Sequence, residues 1–214
     1  MFHVEQWSEP DLPEALAQIV PRGTIDRLID LSELVKKWNP KINLVAKSTI
    51  DDLWQRHIID SLQILTDNYQ SERWCDIGSG GGFPGLIVAI VKPDTQVTLI
   101  ESDQRKCAFL IIAKQRLGLT NVDIRDERVE DVEPLNADTV SARALAPLDK
   151  LLPLAALHMA ENGRAILMKG AAVEQEITDA KQHWDFQITR QSSITDPDSS
   201  ILIIRNIQAC HRNP

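Results

Sequence analysis

The chain has few cysteines, no long apolar run and no excess of positive charge. Its cysteines, Cys75, Cys107 and Cys210, include no Cys-x-x-Cys pair and are odd in number. The sequence therefore predicts reduced thiols, with neither a disulfide framework nor a zinc site. No stretch of about eighteen uncharged apolar residues is present, which predicts no membrane span. These absences favour a metal-free cytoplasmic protein.

The beginning of the chain also lacks the pattern of a signal peptide. Residues 1–11 carry Glu5, Glu9 and Asp11 and no apolar core. The 214 residues, of which 43% are hydrophobic, are enough for one α/β domain with a small appendage. We expect a monomer.

Positive charge is scarce overall but locally concentrated. The net charge of −8 gives no general basic footprint of the kind that nucleic-acid-binding proteins usually show. Between residues 36 and 57, however, five basic residues stand against two acidic ones. The basic residues are Lys36, Lys37, Lys41, Lys47 and Arg56. A solvated helix face explains this group at least as well as a binding patch, so composition alone does not indicate RNA.

The first 70 residues show helical periodicity. Asp11 can cap a first turn that has Pro13 at its first position, and Thr24 can cap a longer helix. That helix is predicted to end at Asn39-Pro40, because the residue before a proline is disfavoured in the α region. We therefore predict a helical N-terminal extension over residues 1–70.

After residue 70, short apolar runs alternate with helical stretches. The predicted strands are 74–77, 97–100, 122–124, 139–142 and 165–168, and the predicted helices between them are 84–92, 103–117 and 147–161. Gly118 and Gly163 stand where helix C-caps are expected. Residues 184–189 and 201–207 resemble a closing hairpin. The pattern predicts an α/β domain over residues 71–214, with helices on both faces of a Rossmann-like sheet, forming one structural unit with the extension.

A glycine-rich turn follows the first predicted strand, in residues 76–85 (DIGSGGGFPG). Glycines permit positive φ and let a ligand approach the backbone closely. The carboxyl ends of strands in open α/β sheets are where such folds bind ligands. The turn is therefore the leading candidate for a binding site.

Two classes of ligand fit this turn. Gly80, Gly82 and Gly85 satisfy G-x-G-x-x-G, the pattern of dinucleotide-binding enzymes, so a nicotinamide-dependent oxidoreductase is one interpretation. Asp76, two residues before Gly78, favours S-adenosylmethionine instead. A carboxylate attracts an ammonium and a sulfonium group but repels a pyrophosphate. The acidic-x-Gly-x-Gly pattern also resembles class I methyltransferases, and the chain is too short for a separate substrate domain.

Acidic residues at the next two strand ends extend the candidate site. Glu101 ends the second predicted strand, where it can accept hydrogen bonds from ribose hydroxyls. Val129 and Glu130 follow the third strand, where the adenine edge would lie in such a fold. A solvated acidic loop is the simpler interpretation of Glu130, since Asp126, Glu127 and Asp131 surround it.

Several separate motifs resemble those of the glucose-inhibited division protein B family, bacterial enzymes that methylate guanine N7 in the 530 loop of 16S ribosomal RNA. They are residues 38–44 (WNPKINL), 56–62 (RHIIDSL), the end of the glycine turn at 83–85 (FPG), 141–144 (SARA) and 169–170 (KG). Each motif is weak alone, but their order and spacing are specific. The resemblance covers roughly residues 30–170 and includes nothing diagnostic in the tail.

The resemblance implies a cofactor, a substrate and a set of site residues. The cofactor is S-adenosylmethionine, and the substrate is 16S ribosomal RNA, with the small subunit or an assembly intermediate expected as acceptor. Gly78 and Phe83 would contact the cofactor, Val129 and Glu130 would border its adenine, and Arg143 would lie at the cofactor pocket. An S-adenosylmethionine-dependent methyltransferase with another acceptor remains the main alternative.

Other candidates depend on charge and position. Arg143 follows a buried strand, where a merely solvated arginine is hard to explain, so we expect it to be essential. The RNA-binding candidates are Lys36, Lys37, Lys41, Arg56, His57 and Lys169. Arg56 and Asp60 lie one helical turn apart, so a surface ion pair between them is the simpler interpretation. A core or capping role is likewise the simpler interpretation of His57, because a histidine on a helix face more often has that role.

The predicted chemistry needs no catalytic base. Guanine N7 has a free lone pair, so we expect the enzyme to contribute proximity and orientation together with contacts to the base as it becomes cationic. No cysteine follows the fourth predicted strand, and Asn39-Pro40 is followed by Lys41 instead of the Pro-aromatic pair that exocyclic-amine methylation would require.

Overall fold

A computed structural model of the protein describes residues 12–21, 23–67 and 69–210. Seven strands form one mixed sheet: β1 (Arg73–Ile77), β2 (Gln96–Glu101), β3 (Val122–Asp126), β4 (Ala137–Arg143), β5 (Met159–Lys169), β6 (Trp184–Ser192) and β7 (Ser200–Ala209). Their order is β3-β2-β1-β4-β5-β7-β6. The five predicted strands and the closing hairpin are thereby confirmed.

Strands β1 to β5 are parallel, whereas β7 is antiparallel to both β5 and β6. The central strands read as apolar runs because helices cover both faces and leave no solvent-exposed side. The chain order reverses beside β1, where β1 has β2 on one side and β4 on the other. Ligands bind at such switch points, outside the carboxyl ends of the strands.

The helices divide between the two faces of the sheet. They are α4 (Gly85–Val91), α5 (Gln104–Arg116), α6 (Leu148–His158) and α7 (Val173–Ala180). Helices α4 and α5 share one hydrophobic core with the N-terminal extension, and α6 and α7 belong to a second core on the other face. The prediction of a helix C-cap at Gly163 is wrong. Pairing of Met159 with Ala137 starts β5 directly after α6, so Gly163 lies within the strand.

The extension consists of α1 (Glu14–Ala17), α2 (Thr24–Ile42), a π-helix (Trp54–Ile59) and the single turn α3 (Asp60–Leu62). Gly23, not Thr24, is the N-cap of α2. The predicted end at Asn39-Pro40 is also wrong. Proline removes only one N–H donor, and the Asn43 N–H closes a further turn on the Asn39 carbonyl at 2.9 Å.

The extension reaches the carboxyl edge of the sheet through the loop after α2. Asn39 Oδ1 accepts a hydrogen bond from the Val45 N–H at 2.8 Å, which ties this loop to α2. Leu44 of the loop packs against the glycine turn, because a Cβ atom at Gly81 would lie 3.1 Å from the Leu44 carbonyl oxygen. The predicted cap Asp11 lies outside the described residues. None of the helices within the described ranges combines the length and the apolar character that a membrane span requires.

Candidate active site

A cavity of about 1300 Å³ opens at the carboxyl ends of the strands. Its floor is the glycine turn after β1, and one end is formed by Glu101 and the segment 127–130. The opposite end is formed by the end of β5, the start of β7 and residues 193–199, which we call the β6–β7 turn. Residues 44–46 and the π-helix form the wall above the floor. The cavity is therefore bounded by both the sheet and the extension.

The glycine turn lies close to the loop after β4. Gly78 has φ +67°, and a Cβ atom there would lie 2.5 Å from Leu145 Cδ1. A larger residue there would have to displace the Leu145 side chain and adopt a backbone conformation that side chains other than glycine rarely allow. Gly80 also has positive φ and donates its N–H to Glu101 Oε2 at 2.8 Å. Both predicted glycines therefore line the cavity.

Asp76 lies beneath the turn. It is 1% exposed, accepts hydrogen bonds from Ser141 Oγ at 2.6 Å and the Gly85 N–H at 3.2 Å, and is not among the cavity-lining residues. Burial raises its pKa to about 6, although both hydrogen bonds act in the opposite direction. The structure thus gives Asp76 a supporting position, in which it ties the turn to β4 and to the start of α4.

Glu101 faces the cavity from the end of β2. Its Oε1 accepts the backbone N–H groups of Ser102 at 2.9 Å and Asp103 at 2.8 Å, while Oε2 accepts that of Gly80. Glu101 is only 8% exposed, and the three backbone donors hold its carboxylate in one orientation. This places a fixed acceptor at the end of the cavity where ribose hydroxyls were predicted.

Val129 and Glu130 also line that end. Val129 is buried, and its carbonyl accepts a hydrogen bond from Nε2 of the buried His158 at 2.9 Å. Glu130 is exposed and pairs with Arg128 at 2.8 Å. Val129 therefore offers an apolar surface fixed from below, whereas Glu130 stands at the solvent edge.

Arg143 is the centre of a cluster on the wall of the cavity. Its Nη1 donates to the Arg56 carbonyl at 3.2 Å and to Asp60 Oδ2 at 3.4 Å, and its Nη2 lies 2.6 Å from His57 Nδ1. The guanidinium carbon lies 5.2 Å from the centre of the Phe83 ring. Burial lowers the pKa of Arg143, while the carboxylates of Asp60 and Asp76 raise it.

His57 is held neutral in this cluster. Burial, together with the positive charges of Arg143 and Arg56, lowers its pKa to about 3. Because Arg143 can only donate, His57 Nδ1 must accept and Nε2 must carry the proton. Nε2 lies 2.7 Å from Thr49 Oγ1, which in turn donates to the Ala46 carbonyl at 2.9 Å. A continuous chain of hydrogen bonds thus runs from Arg143 through His57 and Thr49 to the Ala46 carbonyl, in the loop after α2.

Two charged residues have partners that differ from the sequence-based interpretation. Arg56 does not pair with Asp60: its Nη1 donates to Asp196 of the β6–β7 turn at 2.7 Å, and Asp60 pairs with Arg143. Lys169 is buried, with its amine 2.5 Å from Glu176 and 2.8 Å from the Ala146 carbonyl. It anchors the loop after β4 from within the cavity.

The remaining basic candidates lie on α2. Lys36, Lys37 and Lys41 are located on this helix, and Lys36 pairs with Glu33 at 3.2 Å. They lie outside the cavity lining, on the element that leads into the cavity wall. Among the described residues, no group of three or more His, Cys, Asp or Glu side chains could hold a metal ion.

Sequence reasoning missed Thr49, Asp60 and the whole β6–β7 turn. The turn is polar and distant in sequence, so only its contacts with the extension reveal that it belongs to the site. Asp60 lies in the 56–62 motif, which gave a local signal, but its partners Arg143 and Thr195 are 83 and 135 residues away.

The motif-bearing segments therefore meet at one cavity, and comparison with known proteins identifies their family. The family described as rRNA small subunit methyltransferase G matches residues 24–203. The chain belongs to this family. The match extends beyond residues 30–170, where the motifs lie, and it includes the β6–β7 turn. It also decides between the two interpretations of the glycine-rich turn, in favour of a methyltransferase.

Curated relatives support the assignment over nearly their whole length. The ribosomal RNA small subunit methyltransferase G of Ruegeria sp. (strain TM1040) is 48% identical over 193 residues, which cover 88% of this chain and 94% of the relative. The enzyme of the same name from Paracoccus denitrificans is 44% identical over 185 residues, which cover 86% of this chain and 95% of that relative.

Solved structures share the fold at low sequence identity. A SAM-dependent methyltransferase from Aquifex aeolicus has a TM-score of 0.57 at 13% identity and covers 82% of this chain and 97% of its own. A SAM-dependent O-methyltransferase from Thermotoga maritima has a TM-score of 0.54 at 15% identity, and the match covers 72% of this chain and 66% of that enzyme. The predicted Rossmann-like methyltransferase sheet is thus confirmed.

Proposed function

We propose that this protein transfers a methyl group from S-adenosylmethionine to N7 of a guanine in the 530 loop of 16S ribosomal RNA. The observation that carries the proposal is the convergence of three family motifs on one cavity wall. Arg56, His57 and Asp60 of the 56–62 motif contact Arg143 of the 141–144 motif. Phe83 of the 83–85 motif lies against both His57 and Arg143.

The cavity fits the proposed cofactor. Its floor is a glycine backbone that a ligand can approach closely, and at one end the fixed carboxylate of Glu101 can accept hydrogen bonds from ribose hydroxyls. Val129 beside it offers an apolar surface to an adenine. We propose Gly78, Gly80, Phe83, Glu101, Val129, Glu130 and Arg143 as the residues that contact the cofactor, with Asp76 supporting the turn from below.

The chemistry that this site would carry out needs orientation and no proton acceptor. When bound, S-adenosylmethionine would supply an electrophilic methyl group that the lone pair of guanine N7 can attack directly, with the electron pair of the broken S–CH3 bond remaining on sulfur in the leaving S-adenosylhomocysteine. The side chains agree with this requirement, because His57 has both ring nitrogens engaged, by Arg143 and Thr49, and is held neutral. His57 is therefore a structural link in the wall. Arg143 fixes the wall against which the reacting groups are aligned.

We further propose that the extension, residues 1–70, faces the RNA, and that residues 71–214 carry the methyltransferase site. Lys36, Lys37 and Lys41 support this, because they lie on the helix that leads into the cavity wall. Arg56 would contribute from the rim, where its side chain is 40% exposed. We also propose that the protein is a monomer and that it acts in the cytoplasm, where ribosomal subunits are assembled.

Methyl transfer to defined acceptors tests the proposal. Radiolabelled S-adenosylmethionine would be incubated with the protein and with naked 16S RNA, assembly intermediates or mature small subunits that lack the modification. We expect label recovered as 7-methylguanosine from the 530 loop, with the subunit or an intermediate preferred. A reaction without the protein serves as the blank. If the protein binds S-adenosylmethionine but no RNA becomes labelled, the cofactor pocket is supported and the methyl acceptor is a different molecule.

A further inference from the structure

The carboxylate of Asp60 connects two parts of the molecule that are far apart in sequence. Its Oδ2 accepts from Arg143 at 3.4 Å, while Oδ1 accepts from Thr195 Oγ1 at 2.8 Å and Gln63 Nε2 at 2.7 Å. Ser193 Oγ lies 3.4 Å from the same oxygen. The two oxygens therefore differ in their partners, because Oδ2 holds Arg143 whereas Oδ1 is held by the β6–β7 turn and the extension.

The β6–β7 turn is built to present these hydroxyls inward. The Thr195 N–H donates to Ser193 Oγ at 3.1 Å, and the two hydroxyl oxygens lie 2.9 Å apart. The Ile194 N–H donates to Gln63 Oε1 at 2.9 Å, and Asp196 Oδ2 accepts a hydrogen bond from Arg56 Nη1 at 2.7 Å. Four successive residues of the turn thus bond to the extension, which fixes the turn against the wall that holds Arg143.

Arg143 depends on this arrangement. It lies near a second guanidinium, that of Arg56, and its side chain is 16% exposed. Asp60 is the one carboxylate that forms an ion pair with it among the described residues. A partly buried arginine without its carboxylate would reorient toward solvent or lose its charge-assisted hydrogen bonds. The hydrogen bond between Arg143 and His57 would weaken when Arg143 reorients.

We propose that Asp60 and Thr195 are positioning residues, and that the C-terminal hairpin thereby belongs to the catalytic unit by fixing the orientation of Arg143. The expected effect on turnover rests on the proposed function, whereas the expected effect on the orientation of Arg143 does not. A displacement of about 1 Å in such a positioning group can lower the rate by as much as a hundredfold.

Substitution of Thr195 tests the proposal without changing charge. Thr195→Val removes the hydroxyl but keeps the shape, and we expect kcat to fall roughly tenfold with little change in KM for the RNA. Thr195→Ser keeps the hydroxyl and is expected to restore kcat. Thr189→Val, on β6 outside the cavity lining, is the matched control and is expected to behave like the unmodified protein. A rise in KM for RNA with kcat unchanged would assign Thr195 to substrate binding and overturn the proposal.

A spectroscopic measurement separates positioning from a general loss of structure. In protein labelled with ¹⁵N-histidine, the His57 Nδ1 resonance, assigned with His57→Gln, reports the hydrogen bond from Arg143. We expect it to shift in Thr195→Val and in Asp60→Asn but not in Thr189→Val, at temperatures where each variant remains folded. An unchanged resonance in both cavity variants would refute the coupling. Because this readout needs no acceptor RNA, it remains decisive even if the unmodified protein fails to methylate 16S RNA.

Discussion

The Arg143 side chain, at the end of β4, connects two other segments of the chain: residues 56–60, where the π-helix continues into α3, and the glycine turn. It reaches the π-helix at Arg56 and His57, α3 at Asp60 and the glycine turn at Phe83. A π-helix is rare and commonly occurs at functional sites. Here it presents the Arg56 carbonyl and the His57 ring toward the same guanidinium. The orientation of one side chain is therefore determined by several elements at once.

Truncation of Arg143 is expected to abolish most activity while the protein remains folded. Arg143→Ala should lower methyl transfer roughly a hundredfold or more, because a charge-assisted positioning group is lost from the wall of the site. Arg143→Lys keeps the charge but not the fork of donors, so it should recover little of this. Initial rates on the small subunit measure the effect. Near-normal turnover in Arg143→Ala would show that methyl transfer does not require Arg143.

The neutral state of His57 predicts a pH dependence of stability. Its pKa is about 3 in the folded protein against 6.5 for an unperturbed imidazole. Between these values the unfolded chain binds more protons, so the contribution of His57 to stability is complete above about pH 6.5 and is lost progressively as the pH falls. We expect His57→Gln to lose less stability than the unmodified protein over this range.

Urea unfolding at several pH values between about 4 and 7.5 measures the difference. Only the change relative to His57→Gln is informative, since other groups titrate in both proteins. Parallel stability curves for the two proteins would show that His57 is not held neutral.

At the scale of elements, the glycine turn depends on close contact between the start of α4 and β2. A Cβ atom at Gly85 would lie 2.3 Å from Leu99 Cδ2 and 2.7 Å from Asp76 Oδ2. Both neighbours are buried, and Asp76 is hydrogen-bonded to Ser141 and Gly85. Neither can move without disturbing the support of the turn.

Gly85→Ala is therefore expected to destabilise the protein by about 1–3 kcal/mol, as overpacking of a tight core does. Gly170→Ala is the matched control, because a Cβ atom there meets nothing within 4 Å. Chemical unfolding of the two variants and the unmodified protein provides the comparison. Equal stability of the two variants would contradict the close packing beneath the turn.

The predictability of each element followed from the range of the interactions that stabilise it. Strands β1 to β5 could be predicted because burial on both faces requires apolar runs, which are visible locally. The continuation of α2 past Pro40 could not, because the cap at Asn43 and the packing of the helix outweigh a local preference. Residue types at the site could be predicted from motifs, but the partners of Arg56 and Asp60 depend on a turn more than 130 residues away.

At the scale of the whole molecule, an acidic protein is proposed to bind a polyanion. The net charge of −8 opposes long-range attraction, so affinity must come from a local surface. The lysines of α2 are the candidates, since they lie on the helix that leads into the cavity wall. Lys169 is less suited to a phosphate contact, because Glu176 and the Ala146 carbonyl already bind its amine.

Charge reversal on α2 is expected to weaken RNA binding and its salt dependence together. Lys37→Glu and Lys41→Glu should each lower affinity for the small-subunit RNA and reduce the slope of log K against log salt by about 1. Arg73→Glu makes the same change in charge at the amino end of β1, opposite the cavity, and should have a much smaller effect. Filter binding across a salt series measures both quantities. Equal losses for all three variants would indicate a general effect of net charge.

The bond between Arg56 and Asp196 spans 140 residues, and it has a consequence for how the protein is made. While a ribosome is still synthesising the chain, the sheet strands β1 to β5 emerge before the β6–β7 turn exists. A nascent chain at that stage has the glycine turn and Arg143 but lacks Thr195 and Asp196, so one end of the cavity is missing. Completion of the site therefore waits until the β6–β7 turn has left the ribosome.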